Sequence, residues 1–229
     1  MIKNFDDVLK KAKERGPLTI SVAVAEDKHV LEAVWDAKKL GIIDAYLVGN
    51  ETEICKIASE VEMDLSQFTI INKEDPVEAA REAVSLVSYG KAQVVMKGLV
   101  DTAIIMKAVL DKEIGLRGDS ILSHVAVFEV KGFDKLFYVT DAAMNIAPSL
   151  EEKVKIIENC VEVALSLDVE NPRVGIICAV EKVNEKMEAT LHALELVKMN
   201  ENGVIKNCTI GGPFALDNAI SKEAALIKK

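Results

Sequence analysis

The sequence predicts an α/β fold. Short apolar runs rich in Val and Ile alternate with longer segments of helical periodicity along most of the 229 residues. Such strands are typical of a parallel sheet that is covered by helices on both faces. Half of the residues are hydrophobic and 28% are charged, as in globular proteins. The length allows one large domain or two small ones.

Six apolar runs are predicted to be strands, and seven segments are predicted to be helices. The strand candidates are residues 18–25, 44–49, 68–72, 92–98, 173–180 and 207–212. The helix candidates are residues 28–40, 51–60, 76–89, 101–111, 150–167, 184–199 and 216–228.

Two helix starts carry capping chemistry. Asp75 precedes Pro76, a residue favoured at the first helical position, and Glu78 completes a capping box. Ser149 and Glu152 have the same spacing. These residues predict helices that begin at positions 76 and 150.

One segment interrupts the alternation of strands and helices. Residues 122–130 and 135–141 are separated by KGFD and predict an antiparallel hairpin. They follow Gly115 and Gly118, and a change of strand type after two glycines predicts a domain boundary. Residues 1–115 are therefore expected to form a first α/β domain, and residues 116–229 a second that contains the hairpin.

Composition excludes several function classes. Acidic residues outnumber basic ones by 37 to 28, and aromatic residues make up only 4%, whereas nucleic-acid-binding proteins carry basic stripes or stacking aromatics. The scattered histidines match no metal motif, and the four cysteines, in apolar or helical runs, are expected to be reduced core residues. We find no signal peptide or membrane-spanning run. These observations favour a cytoplasmic protein without a nucleic-acid, membrane or metal partner.

Polar residues follow a predicted strand at Val94–Thr102, and the carboxyl ends of strands are where α/β sheets place ligands. Amides at a helix start attract anions, and Gly98 permits close approach of a ligand. Lys97, Thr102 and Lys107 add positive charge or a hydroxyl group. The alternative is a tight turn in which Asp101 is a plain N-cap and the lysines are solvated.

Two further strand ends leave similar alternatives open. Asp141 and Asn145 either orient a ligand or form turns with their own backbone. Glu181 follows another strand, and Asn184 is expected to cap the next helix, whose outer face is charged.

A last cluster lies near the end of the sequence. Gly212 and Pro213 predict a sharp turn, after which Asp217 faces a cleft or lies in the first turn of a helix. No Ser/His/Asp set, Cys/His pair or paired carboxylates are apparent, so residue spacing alone does not identify a reaction.

Five segments, in this order, resemble the phosphate acetyl/butyryltransferase family. They are MKGLVDTA, GLRGDSILSHVAVFE, TDAAMNIAPSLEEK, NPRVGIICAVEKVNEKMEAT and GGPFALDNAIS. The butyryl branch is favoured, because acetyl enzymes usually carry serine where Lys97 stands and lack EKVNEKM. The resemblance implies two α/β/α domains with a cleft between them, similar to isocitrate and isopropylmalate dehydrogenases, in a homodimer or larger homo-oligomer.

The resemblance also implies an activity. A short acyl group would move reversibly between coenzyme A and inorganic phosphate, with butyryl-CoA and phosphate giving butyryl phosphate and CoA. Coenzyme A is then a substrate or product, and no cofactor is expected.

Site residues carry over from the same resemblance. Gly98 and Thr102 match the positions that hold phosphate or acyl phosphate, and Lys107 stands where acetyl-type members have arginine. Residues that match other positions lining or shaping the cleft are Ser123, Asp141, Asn145, Pro148, Gly212, Pro213 and Asp217.

The end of the sequence departs from the family pattern. Family members continue into a strand that returns to the first domain and carries a Ser-Arg pair with an assigned catalytic role. The sequence ends at Lys229, so this strand and pair are expected to be missing, and no catalytic residue is assigned. Two alternatives to acyl transfer remain. One is a truncated CoA-binding or regulatory protein without turnover, and the other is a metal- and NAD-dependent dehydrogenase on the same fold, which would need an aspartate cluster.

Overall fold

The structure, a computed structural model, describes residues 2–118 and 120–227. Predictions that fall on Met1, Asp119, Lys228 and Lys229 lie outside the described residues. The chain divides into two compact units, one formed by Met1–Val8 with Ser120–Lys229 and the other by Leu9–Asp119. The predicted boundary between residues 115 and 116 stays a prediction.

The unit Leu9–Asp119 contains a four-stranded parallel sheet in the order β3-β2-β1-β4. Its strands are β1 Leu18–Ala23, β2 Ile43–Gly49, β3 Thr69–Asn72 and β4 Val94–Lys97. The helices are α1 Phe5–Arg15, which begins in the other unit, α2 Lys28–Lys39, α3 Glu51–Glu60, α4 Pro76–Ser88 and α5 Thr102–Val109. The predicted parallel sheet is confirmed.

Alternate residues of the central strands enter two cores. Ala23 and Val48 pack with buried residues of α4 and α5, whereas Val22 and Leu47 pack with those of α2 and α3. Helices therefore cover both faces of this sheet, as predicted. Because the strands are parallel, the loops that follow β1, β2 and β4 lie at one edge.

The other unit contains two separate strand pairs. Its elements are β5 Ala126–Glu129, β6 Leu136–Val139, α6 Leu150–Ser166, β7 Arg173–Ile177, α7 Glu188–Glu201, β8 Thr209–Phe214, α8 Leu216–Ile220 and α9 Lys222–Ile227. The antiparallel pair β5-β6 confirms the predicted hairpin. Strands β7 and β8 are parallel, with an irregularity between Gly175 and Ile177. Buried residues of α6 and α7 form the core beside β8.

Helix starts agree with the predicted caps in two places. At α6, the Ser149 hydroxyl accepts from the Glu152 amide at 3.2 Å, and the Glu152 carboxylate accepts from the Ser149 amide at 2.7 Å. At α4, Asp75 accepts from the amides of Val77 and Glu78. Among the described residues, the Glu78 carboxylate accepts no hydrogen bond from the Asp75 amide, so the capping box predicted there is wrong.

Three further expectations about the fold are wrong. Helix α7 begins at Glu188 rather than at 184, because the Met187 amide donates to the Asn184 carbonyl oxygen at 2.9 Å and closes residues 184–187 into a turn. The buried Thr190 hydroxyl holds this turn by accepting from the Asn184 amide at 2.9 Å. Residues 216–227 form two helices rather than one, since Ser221 is extended between them. Cys55 is exposed on α3 rather than part of the core.

Candidate active site

The turn from β4 to α5 is tied to the end of β1. The Gly98 amide donates to the Ala23 carbonyl oxygen at 2.8 Å, and the Leu99 amide donates to that of Val24 at 2.9 Å. A Cβ atom on Gly98 would overlap the Val24 carbonyl oxygen and lie 2.6 Å from that of Ala23. Glycine is therefore required by the close approach of β1, and its own amide is already used.

The first turn of α5 has no side-chain cap. Asp101 occupies the N-cap position, but its carboxylate makes no capping hydrogen bond, unlike a plain capping residue. Thr102 is the first residue of the helix and is exposed. The positive end of the helix dipole and the Thr102 hydroxyl are thus open to an anion.

The two lysines predicted beside this turn lie at different places. Lys97 is the exposed last residue of β4, directly before Gly98. Lys107 is exposed in the last turn of α5, about 7.5 Å along the helix axis from Thr102 at a rise of about 1.5 Å per residue. The structure thus brings Lys97, Gly98 and Thr102 together more closely than Lys107.

Asp141 is a hydrogen-bond centre in the other unit. One of its carboxylate oxygens accepts from the amides of Ala143 (3.0 Å) and Met144 (2.9 Å). The other accepts from the Asn145 side chain (2.6 Å) and the His124 amide (3.3 Å). Asp141 therefore forms the turn that the sequence allowed, and it also binds a segment 17 residues earlier.

The same contacts set the charge of Asp141. Desolvation raises the pKa of this carboxyl group, but the hydrogen bonds from Ala143, Met144, Asn145 and His124 outweigh it and lower the pKa to about 2. Asp141 is consequently ionised at neutral pH and has its acceptor positions filled by the protein. It is suited to holding the loop rather than to accepting a proton.

Asn145 completes the connection between residues 122–124 and 140–145. Its side-chain amide donates to the Leu122 carbonyl oxygen at 3.0 Å as well as to Asp141. The Thr140 hydroxyl donates to the His124 carbonyl oxygen at 2.8 Å. Ser123 thus lies between two residues whose backbone is fixed by Asp141, Asn145 and Thr140.

Asn159 on α6 holds the other side of this segment, and it was not singled out from the sequence. Its amide nitrogen lies 2.9 Å from the Ser123 hydroxyl oxygen. Both residues line a cavity of about 470 Å³ between residues 121–125 and α6. The signal available in the sequence was an amide on one face of a predicted helix with the apolar residues Ile156 and Val163, and such an amide needs a polar partner if that face is covered.

The end of β8 contains the last predicted cluster. Gly212 has a φ of +154°, and a Cβ atom there would lie 2.9 Å from the Ile176 Cβ, so glycine is required. Pro213 is buried and follows a cis peptide bond. Asp217 is exposed in the first turn of α8 and accepts from the Asn218 amide at 2.9 Å.

The predicted site residues therefore fall into three groups. Lys97, Gly98, Thr102 and, farther away, Lys107 belong to the unit Leu9–Asp119. Ser123, Asp141 and Asn145 form one connected loop system in the other unit, and Pro148 is half-buried just before α6. Gly212, Pro213 and Asp217 lie at the end of β8. Substrate contacts by these residues stay predictions.

Two observations concern partners other than small molecules. No helix in the described part of the chain is long and apolar enough to cross a membrane. Among residues 2–118 and 120–227, His, Cys, Asp and Glu side chains form no group of three or more that could hold a metal ion.

Known proteins resemble this chain over almost its whole length. The phosphate butyryltransferase of Clostridium acetobutylicum is 52% identical over 225 residues, which cover 98% of this chain and 75% of that protein. The phosphate butyryltransferase of Clostridium beijerinckii is 50% identical, with 98% and 74% covered. The chain thus spans about three quarters of the length of these relatives.

A solved structure has the same fold. The crystal structure of a branched-chain phosphotransacylase from Enterococcus faecalis V583 superposes with a TM-score of 0.78 at 32% identity, covering 92% of this chain and 73% of that one. The family model described as phosphate acetyl/butaryl transferase matches residues 4–82 and 76–229. The chain therefore belongs to the phosphate acetyl/butyryltransferase family.

Proposed function

We propose that this protein transfers a butyryl or similar short acyl group between coenzyme A and inorganic phosphate. Butyryl-CoA and phosphate give butyryl phosphate and CoA, and the reaction is reversible. The observation that carries the proposal is the 52% identity to a phosphate butyryltransferase across 98% of the chain.

The reaction sets two requirements on the site. A phosphate oxygen attacks the thioester carbonyl carbon, a C–O bond forms, the C–S bond breaks, and the CoA thiolate leaves. The protein has to hold phosphate close to the acyl carbon and stabilise the negative charge that develops on the carbonyl oxygen. The open first turn of α5 with Thr102 suits the first task, and a hydroxyl donor such as Ser123 suits the second.

The finer features of the resemblance belong to the same proposal. They are two α/β/α domains with the site in a cleft, similar to isocitrate and isopropylmalate dehydrogenases, a homodimer or larger homo-oligomer, a cytoplasmic location, and no cofactor besides coenzyme A as substrate. The division into two compact units supports the two-domain architecture. Neither a non-catalytic CoA-binding role nor a dehydrogenase activity is favoured by a specific observation.

The first test is phosphate-dependent release of free CoA thiol from butyryl-CoA by the purified chain. We expect release with butyryl-CoA to exceed release with acetyl-CoA. A folded protein that releases no thiol from either substrate contradicts turnover by residues 1–229, and preferential use of acetyl-CoA contradicts the butyryl assignment.

Thr102→Val is expected to raise the KM for phosphate about tenfold with a smaller change for butyryl-CoA. The substitution keeps the side-chain shape and removes a donor to a charged ligand, which is worth about 1.5–3 kcal/mol. Steady-state kinetics measure both KM values. Thr69→Val, at an exposed position in β3, is the control, and unchanged kinetics in Thr102→Val would remove this hydroxyl from the site.

Lys107→Ala is expected to raise the KM for phosphate by up to about fivefold, because an exposed charge contributes about 1 kcal/mol or less. Raising the salt concentration should reduce the difference from the wild type. Lys91→Ala, also exposed, serves as the control. An equal loss for phosphate and CoA would indicate a folding defect instead of a lost phosphate contact.

A further inference from the structure

The contacts of Asn159 fix the direction of its hydrogen bond to Ser123. The Asn159 amide nitrogen lies 3.0 Å from the Ile121 carbonyl oxygen and 2.9 Å from the Ser123 hydroxyl oxygen. The Ser120 hydroxyl donates to the Asn159 amide oxygen at 3.2 Å. A carbonyl oxygen can only accept, so the atom beside Ile121 has to be the nitrogen. Asn159 therefore donates to Ser123.

This direction decides what the Ser123 hydroxyl can do. Because its oxygen accepts the Asn159 proton, its own proton is available to donate. Among the described residues, the Ser123 hydroxyl donates to no acceptor. A hydroxyl that already accepts a hydrogen bond is also a stronger donor, since the two bonds polarise one another.

The surroundings of the pair indicate the kind of ligand. Ser123 and Asn159 line the cavity of about 470 Å³. Its wall also includes apolar side chains, such as Leu122 and Val163, and the polar side chains of Glu162 and Ser166. The pair presents a donor beside apolar side chains, and a donor of this kind recognises an oxygen acceptor. In the proposed reaction the acceptors are a phosphate oxygen and the thioester carbonyl oxygen.

We infer that Asn159 is a positioning residue that keeps the Ser123 hydroxyl available as a donor to a substrate oxygen. This inference rests on the proposed function. The Asn159 amide nitrogen already donates to the Ile121 carbonyl oxygen and to the Ser123 hydroxyl oxygen. Asn159 acts by holding the Ser123 oxygen from α6, while Asp141 and Asn145 hold the backbone on either side of Ser123.

A double-mutant cycle tests the inference with Ser123→Ala, Asn159→Asp and the double variant. Asn159→Asp has almost the same shape, but its carboxylate accepts the Ser123 proton and reverses the bond. We expect kcat/KM to fall about 100-fold in Ser123→Ala and about tenfold or more in Asn159→Asp. The double variant should be no worse than Ser123→Ala, because Asn159 acts through Ser123.

The kinetic constants separate the two acceptor oxygens. A selective rise in the KM for phosphate would identify the phosphate oxygen as the acceptor. A fall in kcat, or a rise in the KM for butyryl-CoA, would identify the thioester carbonyl. Either pattern supports the inference, provided that the Asn159 effect disappears in the Ser123→Ala background.

Asn171→Asp is the matched control, because Asn171 donates to the Thr209 hydroxyl at 3.1 Å outside this loop. We expect its kinetics to equal those of the wild type. The inference would be overturned if the losses in kcat/KM of the two single variants multiplied in the double variant. Unchanged kinetics in Ser123→Ala would overturn it as well. Asn159→Leu provides a second variant, and unfolding of both Asn159 variants beside a folded Asn171→Asp would assign Asn159 a structural role only.

Failure of the proposed function is recognised separately. If the wild type shows no turnover, calorimetry with butyryl-CoA and with inorganic phosphate gives dissociation constants for the same four proteins. Coupling between Ser123 and Asn159 in binding then supports the inference without turnover. A folded wild type that binds neither probe overturns both proposals.

Discussion

Gly98→Ala is expected to lower the free energy of unfolding by about 3 kcal/mol or more, the upper end of the range for overpacking. The added Cβ would meet backbone atoms of Ala23 and Val24 rather than flexible side chains. To accept it, the turn would have to move away from β1 and weaken the Gly98 to Ala23 hydrogen bond. Urea or thermal unfolding measures the loss.

Gly118→Ala is the matched control, since a Cβ atom at that position has no neighbour within 4 Å. We expect its stability to lie within about 0.5 kcal/mol of the wild type, as for most surface changes. If Gly98→Ala unfolds at the same denaturant concentration as Gly118→Ala, the result contradicts a close approach of the β1 backbone to residue 98. Phosphate turnover by Gly98→Ala should fall together with stability, because Thr102 follows this turn.

Asp141→Ala is expected to lower the free energy of unfolding by about 3 kcal/mol and to remove most of the acyltransferase activity. The carboxylate accepts four hydrogen bonds, and a single bond to a charged group contributes about 1.5–3 kcal/mol. Without it, residues 122–124 and 140–145 lose their connection, and displacement of Ser123 by about 1 Å would lower kcat/KM about 100-fold. Unfolding curves and steady-state kinetics measure the two effects.

Asp64→Ala is the control for Asp141. Asp64 also accepts several hydrogen bonds, but its partners, Ser66 and Gln67, lie within three residues of it. We therefore expect a stability loss of about 1 kcal/mol, as for a local cap, with kcat/KM unchanged. Equal losses of activity in the two variants would contradict a specific role for Asp141.

The pKa of Asp141 adds a pH dependence to this prediction. The folded pKa is about 2 against an ordinary value of 3.8, so the folded state favours the ionised form. The resulting stability is fully present above about pH 4 and is lost as the pH falls towards 2. Asp141→Asn should reduce the stability difference between pH 6 and pH 3, and an unchanged difference would contradict this origin.

Local signals in the sequence were sufficient for most elements. Apolar runs predicted β1 and β4, the two strands that meet at Gly98, and Ser149 with Glu152 predicted the start of α6. The predicted start of α7 was wrong. Asn184 has a side chain suited to an N-cap, but its amide donates to the hydroxyl of Thr190, a buried residue six positions later. Capping propensity is local, whereas burial of Thr190 depends on tertiary packing.

The candidate site was predictable only in part, for a similar reason. Strand ends and glycine indicated the turn at Gly98 and Thr102, and Asx chemistry indicated the turn at Asp141. The bonds from Asp141 to His124 and from Asn159 to Ser123 join residues 17 and 36 positions apart. No periodicity relates such pairs, so the holding role of Asp141 and the contact of Asn159 emerged only from the structure.

The first residues of the chain have a consequence for synthesis on the ribosome. The Phe5 amide donates to the Glu129 carboxylate at 2.8 Å, and Lys3 pairs with Asp134 at 2.6 Å. Glu129, the partner of the Phe5 amide, is translated 124 residues later. This takes about 6–25 s at 5–20 residues per second. Strands β1 to β4 are synthesised during this interval, before Glu129 is available to the Phe5 amide. Residues that are synthesised late, Glu129 and Asp134, thus pair with the first residues of the chain. Forming such long-range contacts is a step of the kind that slows folding.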